Sequence, residues 1–303
     1  MKPQTAPAAD PYARITDRIL EQLREGVRPW TKPWSAEHLG GRVTRPLRVT
    51  GEPYNGINVV LLWMEATAAG YASPTWMTFP QALKLGAHVR KGAKGTPVIK
   101  YGSTTKTGQD ESGAEEDREV RFLKVYNVFN TDQIEGLPEG FAPTPAESPA
   151  LPVPERIDHA EAFFAATGAD VRHGGDLAFY ACGEDRIQLP PIETFNDAEG
   201  YYATRGHETV HWTRHPSRLD RDFGRKRFGD EGYAREELVA ELGSAFLAAD
   251  LGVSLEPRED HAAYLASWIR VLENDKRAIV SAAAHAERAV KFLHGLQPGQ
   301  AAP

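Results

Sequence analysis

The chain has 303 residues, 41% hydrophobic and 25% charged, the balance of a folded globular protein. No apolar run reaches the ~18 residues a membrane helix needs, and the N-terminal MKPQTAPAAD has no apolar signal region; these exclude membrane and secretion classes and predict a cytoplasmic location. Cys182 is the only cysteine, which excludes intrachain disulfides and cysteine-rich zinc modules. The net charge of −7 divides into +4 over residues 1–133 and −11 over residues 134–303, so the two halves are expected to meet different partners.

In chain order, Asp10 and Pro11 can open a helix that Gly26 closes. Ile15, Ile19, Leu20, Leu23 and Val27 form its apolar stripe. Trp30 and Trp34 flank the tripeptide TKP, and Arg42, Arg45 and Arg48 recur every third residue in a stretch containing Gly and Pro. A second helix is expected near Ile57–Ala69, which makes Trp63 a core residue, and a short one fits TFPQALKLG with Thr78 as cap and Gly86 as stop. VRKGAKGT, residues 89–96, places Arg90, Lys91 and Lys94 around two glycines as a phosphate contact. TPVIKYG and VRFLKVYNVFN read as strands, joined by an exposed loop, GSTTKTGQDESGAEED. A basic groove with aromatic platforms is what a single strand of nucleic acid requires. Trp30, Trp34, Arg42, Arg45, Arg48, Arg90, Lys91 and Lys94 are therefore the expected DNA contacts.

Residues 134–156 are rich in proline and poor in large apolar side chains, the composition of a linker. Beyond it, helical patterns fall near 157–168, 197–215, 231–252, 258–274 and 275–294, with strand candidates around AFYAC and DRIQL. The expected fold is α+β in two domains, each with its own core. Residues 1–133 form an α+β nucleic-acid-binding domain, 157–296 a mostly helical domain with a small sheet, and 297–303 a disordered tail.

The chemistry concentrates in RGHETVHWTRH, residues 205–215, which reads H-E-x-x-H at His207, Glu208 and His211. On a helix, positions four apart share a face, so both imidazoles can address one ion. Glu208, beside the first histidine, suits a general base that takes a proton from attacking water. Asn196 can cap this helix and Pro216 can stop it. A third protein ligand is needed, and the metzincin pattern fails at Arg214 and Ser217. His215 is eight residues from His207, ~12 Å along a helix axis, too far to share an ion. YAREELVAELGSAFLAADLG supplies Glu237 and Glu241 one turn apart, with Leu238, Ala245 and Phe246 as a buried face. This pair resembles the gluzincin arrangement, in which one Glu binds zinc and an acid one turn on orients a ligating histidine. That likeness makes Glu237 the expected ligand and Glu241 the acid that orients a ligating histidine, with Glu236 and Glu241 as alternative ligands. The expected ion is Zn2+, with another divalent metal such as Mn2+ as the alternative. Tyr180, Tyr202 and Tyr233 are further candidates to stabilise an oxyanion, against the plainer reading of core or rim tyrosines.

The chain also resembles the ArdC antirestriction proteins of conjugative plasmids. The matching stretches are YARITDRILEQLREGVRPWTKPW, PYNGINVVLLW, TFPQALKLGAHVRKGAKGTPVIKY and VYNVFN in the first half. In the second they are YYATRGHETVHWTRHPSRLDR and YAREELVAELGSAFL. The first half is similar, too, to the N-terminal region of certain plasmid-encoded primases. The resemblance implies a first domain that binds single-stranded DNA and a zincin-like metallopeptidase second domain. It also implies protection of incoming plasmid DNA from host restriction. A host restriction or defence protein is then the expected substrate or target of the metal centre. The rival expectation is a non-catalytic strand-binding or DNA-mimicking protein whose metal is structural.

Overall fold

The computed structural model describes residues 10–30, 44–109, 115–139, 141, 153–224, 227, 229–253 and 261–299, with only the backbone of 106–121, 153–156 and 261–263. Trp34, Arg42 and most of the expected linker lie outside the described residues.

Helix α1 (Pro11–Arg24) starts as its sequence dictates: the Asp10 carboxylate accepts from the Tyr12 amide at 3.1 Å, and Pro11 occupies the first turn. It buries Ile15, Ile19, Leu20 and Leu23. Val27, the fifth residue of the expected stripe, is 50% exposed because the helix ends before it. After strand β1 (Leu47–Arg48) comes helix α2 (Ile57–Ala69), whose Trp63 is fully buried and which Gly70 closes in the left-handed conformation at φ 69°. Strand β2 (Thr75–Met77) leads to α3 (Phe79–Lys84), fixed by a capping box between Thr78 and Gln81.

Short β3 (His88–Val89) precedes the long antiparallel hairpin of β4 (Thr96–Gln109) and β5 (Glu115–Asn130), in register from Thr96–Val128 to Gln109–Glu115. The loop expected over 102–117 is thus mostly strand. Threonines favour extended backbone, and cross-strand pairing satisfies the backbone without any apolar face. The sheet order is β1-β2-β5-β4. The free edge of β4 is held by Asn58 of α2, whose side chain donates to the Ile99 carbonyl at 2.8 Å and accepts from its amide at 2.9 Å. β6 (Ile134–Glu135) pairs with β3, and Ile134 is buried with Met77 and Ala82. Residues 134–135 therefore form a two-stranded sheet with β3 and do not belong to a linker.

In the second half α4 (Val153–Ala166) is followed by a three-stranded sheet of β7 (Asp170–His173), β8 (Phe179–Ala181) and β9 (Arg186–Leu189), ordered β7-β9-β8. Four helices complete it: α5 (Ala198–Trp212), α6 (Glu231–Leu251), α7 (His261–Asn274) and α8 (Ala278–Gly295). The cap of α5 is Asp197, which accepts from the Gly200 amide at 2.6 Å, rather than the expected Asn196 one residue earlier. α6 is buried nearly all round, the mark of a central helix. The expected disordered tail is ordered at its start, where Gln297 donates to the Phe163 carbonyl at 3.2 Å.

The main core runs through both domains, with a smaller cluster of Met77, Ala82, Ala87 and Ile134 confined to the first. Trp30 packs edge-on against Trp268 of α7 at 5.9 Å, and Trp63 against Phe246 of α6 at 6.0 Å. Each such aromatic pair adds about 0.5–1.5 kcal/mol beyond its buried area. Arg45 crosses the same junction, bonding Asp250 at 2.7 Å and Glu287 at 2.8 Å. No helix among the described residues is long and apolar enough to cross a membrane.

Candidate metal centre

The centre sits where α5 crosses α6, and small residues set their spacing. A Cβ added at Gly243 would stand 2.8 Å from both methyls of Val210, so the helices approach to a distance only glycine permits there. Ser244 locks the crossing by donating to the Ala203 carbonyl at 3.1 Å. This places His207 and His211 of α5 opposite Glu237 of α6. His207 Nε2 lies 3.5 Å from Glu237 Oε2, and His211 Nε2 lies 3.5 Å from Glu237 Oε1. One donor atom from each of the three residues lies within 4.8 Å of the others, and all three side chains are buried. Ligands ~2.0–2.2 Å from a tetrahedral ion stand about 3.3–3.6 Å apart, so the set fits a divalent cation after small adjustments.

The far side of each imidazole is handled differently. His211 Nδ1 meets Glu236 Oε1 at 3.0 Å. Glu236 is gripped in turn by Arg221 at 2.7 and 2.8 Å, and Arg221 also donates to the Val210 carbonyl and the Thr213 hydroxyl. Burial alone would depress the His211 pKa, but the Glu237 charge and hydrogen bonds to Glu236 and Glu237 outweigh it and hold the pKa near 10. Burial opposes ionisation of Glu236 as well, yet Arg221 and His211 bring it down to about 2, and the two histidines lower Glu237 well below the carboxylate range. His207 Nδ1 is buried without a hydrogen-bond partner, with Glu241 Oε2 next to it at 3.9 Å. The other oxygen of Glu241 accepts from Arg28 at 2.6 Å and from the Trp30 indole at 3.2 Å, both residues of the first domain. A carboxylate beside the far nitrogen of a ligating histidine stands where an outer partner of that ligand belongs.

Glu236, an alternative ligand on sequence grounds, turns away from the shared point and onto His211 Nδ1. Arg221, Arg28 and the true role of Trp30 went unseen. Arg28 stands 213 positions from Glu241, and no spacing rule reaches that far. Glu208 is buried on α5 beside the first histidine. Of the three tyrosines, Tyr233 stands by Glu237; burial and that charge raise its pKa far above normal, so its phenol stays a hydrogen-bond donor, and it pairs with Tyr264 at 3.0 Å. Tyr180 is engaged by Asp185 and Arg218, and Tyr202 by Glu161.

Two expected DNA contacts are corrected. Trp30 is fully buried, and Arg45 is buried between two carboxylates, so neither side chain is open to a strand. Both were expected outside because local sequence does not reveal the acidic partners on α6 and α8. Arg48 lies over Tyr54 and pairs with Glu52, and Arg90 pairs with Glu135, both well exposed. Lys91 and Lys94 are exposed.

The ArdC antirestriction protein of plasmid R388 has a solved metal-free structure that is 44% identical to this chain, covers 95% of it and 97% of its own length, and superposes at a TM-score of 0.79. The chain belongs to the ArdC antirestriction family. A second ArdC structure from R388, with Mn(II) bound, is 43% identical at a TM-score of 0.77, over 96% of this chain and 99% of its own. The two halves match separate family models: residues 9–129 the N-terminal domain of anti-restriction factor ArdC, and residues 158–285 a zincin-like metallopeptidase. Beyond the ArdC structures, an uncharacterised protein of Sinorhizobium fredii, y4eC, is 42% identical over 86% of this chain and 84% of its own length. A DNA primase TraC of Escherichia coli is 41% identical over 83% of this chain, which spans only 24% of the primase.

Proposed function

We propose that this protein shields incoming single-stranded plasmid DNA from restriction in the recipient cytoplasm, with a strand-binding first domain and a peptidase-like metal centre in the second. The observation that carries the reading is the convergence of His207, His211 and Glu237 beside Glu208, in a family with a Mn(II)-bound member. His207, His211 and Glu237 would hold the ion, and the set suits Zn2+ or Mn2+ alike. When bound, such a cation lowers the pKa of water towards ~7 and polarises a carbonyl. Glu208 takes the proton of the attacking water and returns it to the leaving amine. Tyr233 donates to the substrate carbonyl oxygen as charge develops there. Glu236 and Arg221 hold the His211 ring, and Glu241 faces His207. The substrate is a host restriction or defence protein.

The test is plasmid transfer into a restricting host carrying either the wild-type protein or Glu208→Gln. Both proteins are first shown to be folded, metal-loaded and equal in binding single-stranded DNA. The variant should lose protection, because removing a general base slows turnover by about 10²–10⁴. Full protection by Glu208→Gln would assign the function to binding alone, with the metal as a structural element.

A further inference from the structure

With Trp30 and Arg45 buried, the strand needs another path. A groove of about 490 Å³ opens between α1, α2 and the β4–β5 hairpin, within the size range of ligand clefts. Its floor is apolar: Ile15, Leu61, Pro97, Ile99 and Val125. Its rim carries Arg14, Arg18 and Lys94 against Asp17 and Glu65. Both acids are already neutralised, Glu65 by Arg18 at 3.0 Å and Asp17 by Lys276 at 2.8 Å. Arg14 and Lys94 are exposed and have no ion-pair partner among the described residues. The rim therefore keeps two free cations. Ile99 pairs with Val125 and Tyr101 with Leu123, so alternation puts Tyr101 on the same face of the hairpin as the groove floor. Its ring is 53% exposed, and its hydroxyl meets Tyr12 of α1 at 3.2 Å.

An apolar floor, one open aromatic ring and two uncompensated cations are the elements of a single-strand channel, where bases stack and phosphates meet point charges. We propose that single-stranded DNA lies in this groove, with phosphates at Arg14 and Lys94 and a base on Tyr101. This rests on the strand-binding part of the function proposed above and locates it. Duplex is disfavoured, since paired bases cannot turn their faces onto Tyr101 or the floor.

The experiment is fluorescence anisotropy of a labelled oligothymidine titrated with full-length wild type, Arg14→Ala, Lys94→Ala, Tyr101→Leu and, as a charge-matched control on α8, Lys291→Ala. All the altered side chains are exposed, and thermal unfolding checks that each variant keeps its fold. Arg14→Ala and Lys94→Ala should each weaken binding about fivefold at 0.1 M salt and flatten the log–log salt slope by about 0.7, one phosphate contact each. Tyr101→Leu should cost about tenfold with the slope unchanged. Lys291→Ala should bind as wild type. If wild type binds the oligonucleotide but the three groove variants match it, the groove is the wrong place. If wild type does not bind, the strand-binding function itself fails. Equal affinity for a duplex of the same length would overturn the commitment to single strands.

Discussion

His211 shows how one side chain can be tuned from two directions. Its Nε2 faces Glu237 and its Nδ1 faces Glu236, so without metal the ring carries a proton that both carboxylates stabilise. The folded pKa near 10 stands above the ordinary 6.5. A raised pKa stabilises the metal-free fold fully below about 6.5, and that contribution fades as the pH climbs through 10. A cation needs the neutral imidazole, so uptake must expel this proton. Between pH 7 and 9 metal affinity should rise by about tenfold per pH unit on account of His211. Calorimetry in buffers of different ionisation enthalpy should find about one proton released per ion at pH 7.5. Metal binding without proton release would show that His211 is already neutral. At this scale the motif residues were legible, because H-E-x-x-H fixes its own geometry on any helix. The gluzincin likeness pointed to Glu237 and Glu241, but the place of Glu236 on His211 was not legible, since it depends on which side of α6 meets α5.

The crossing of α5 and α6 decides whether those residues meet at all. Gly243 sits where an added methyl would press on the branched, stiff side chain of Val210 at 2.8 Å. Gly243→Ala gains helix propensity of up to about 1 kcal/mol but forces the helices apart. We expect a net loss of about 1–2 kcal/mol in urea unfolding. Mn2+ affinity in chelator competition should also fall, and Val210→Ala in the same chain should restore both. An unchanged midpoint and affinity would mean that the crossing tolerates a wider spacing. The helices themselves were readable from periodicity and caps, α1 and α3 almost to the residue. The extension of β4 and β5 was hidden, because a polar threonine-rich strand has no apolar alternation to announce it. The cap of α5 was missed by one residue, since Asn196 and Asp197 are both good caps and only the fold selects between them.

The whole molecule ties the two domains together more closely than a linker would suggest. Composition suggested separate cores, yet Trp30 and Trp63 insert into the second domain, and Arg45 bonds acids on α6 and α8. Breaking one side of such a buried ion pair costs about 3–5 kcal/mol, so the junction is a structural part of the protein. The first domain also reaches the centre itself through Arg28 and Trp30 on Glu241. The charge asymmetry of the sequence is partly this junction, basic residues of one half answering acidic residues of the other. The most direct test of the centre is anomalous diffraction from a crystal soaked in Mn2+. A single strong peak should lie among His207 Nε2, His211 Nε2 and the Glu237 carboxylate, with Glu236 still on His211 Nδ1. A peak elsewhere, or one ligated by Glu236 or Glu241 in place of Glu237, would contradict it.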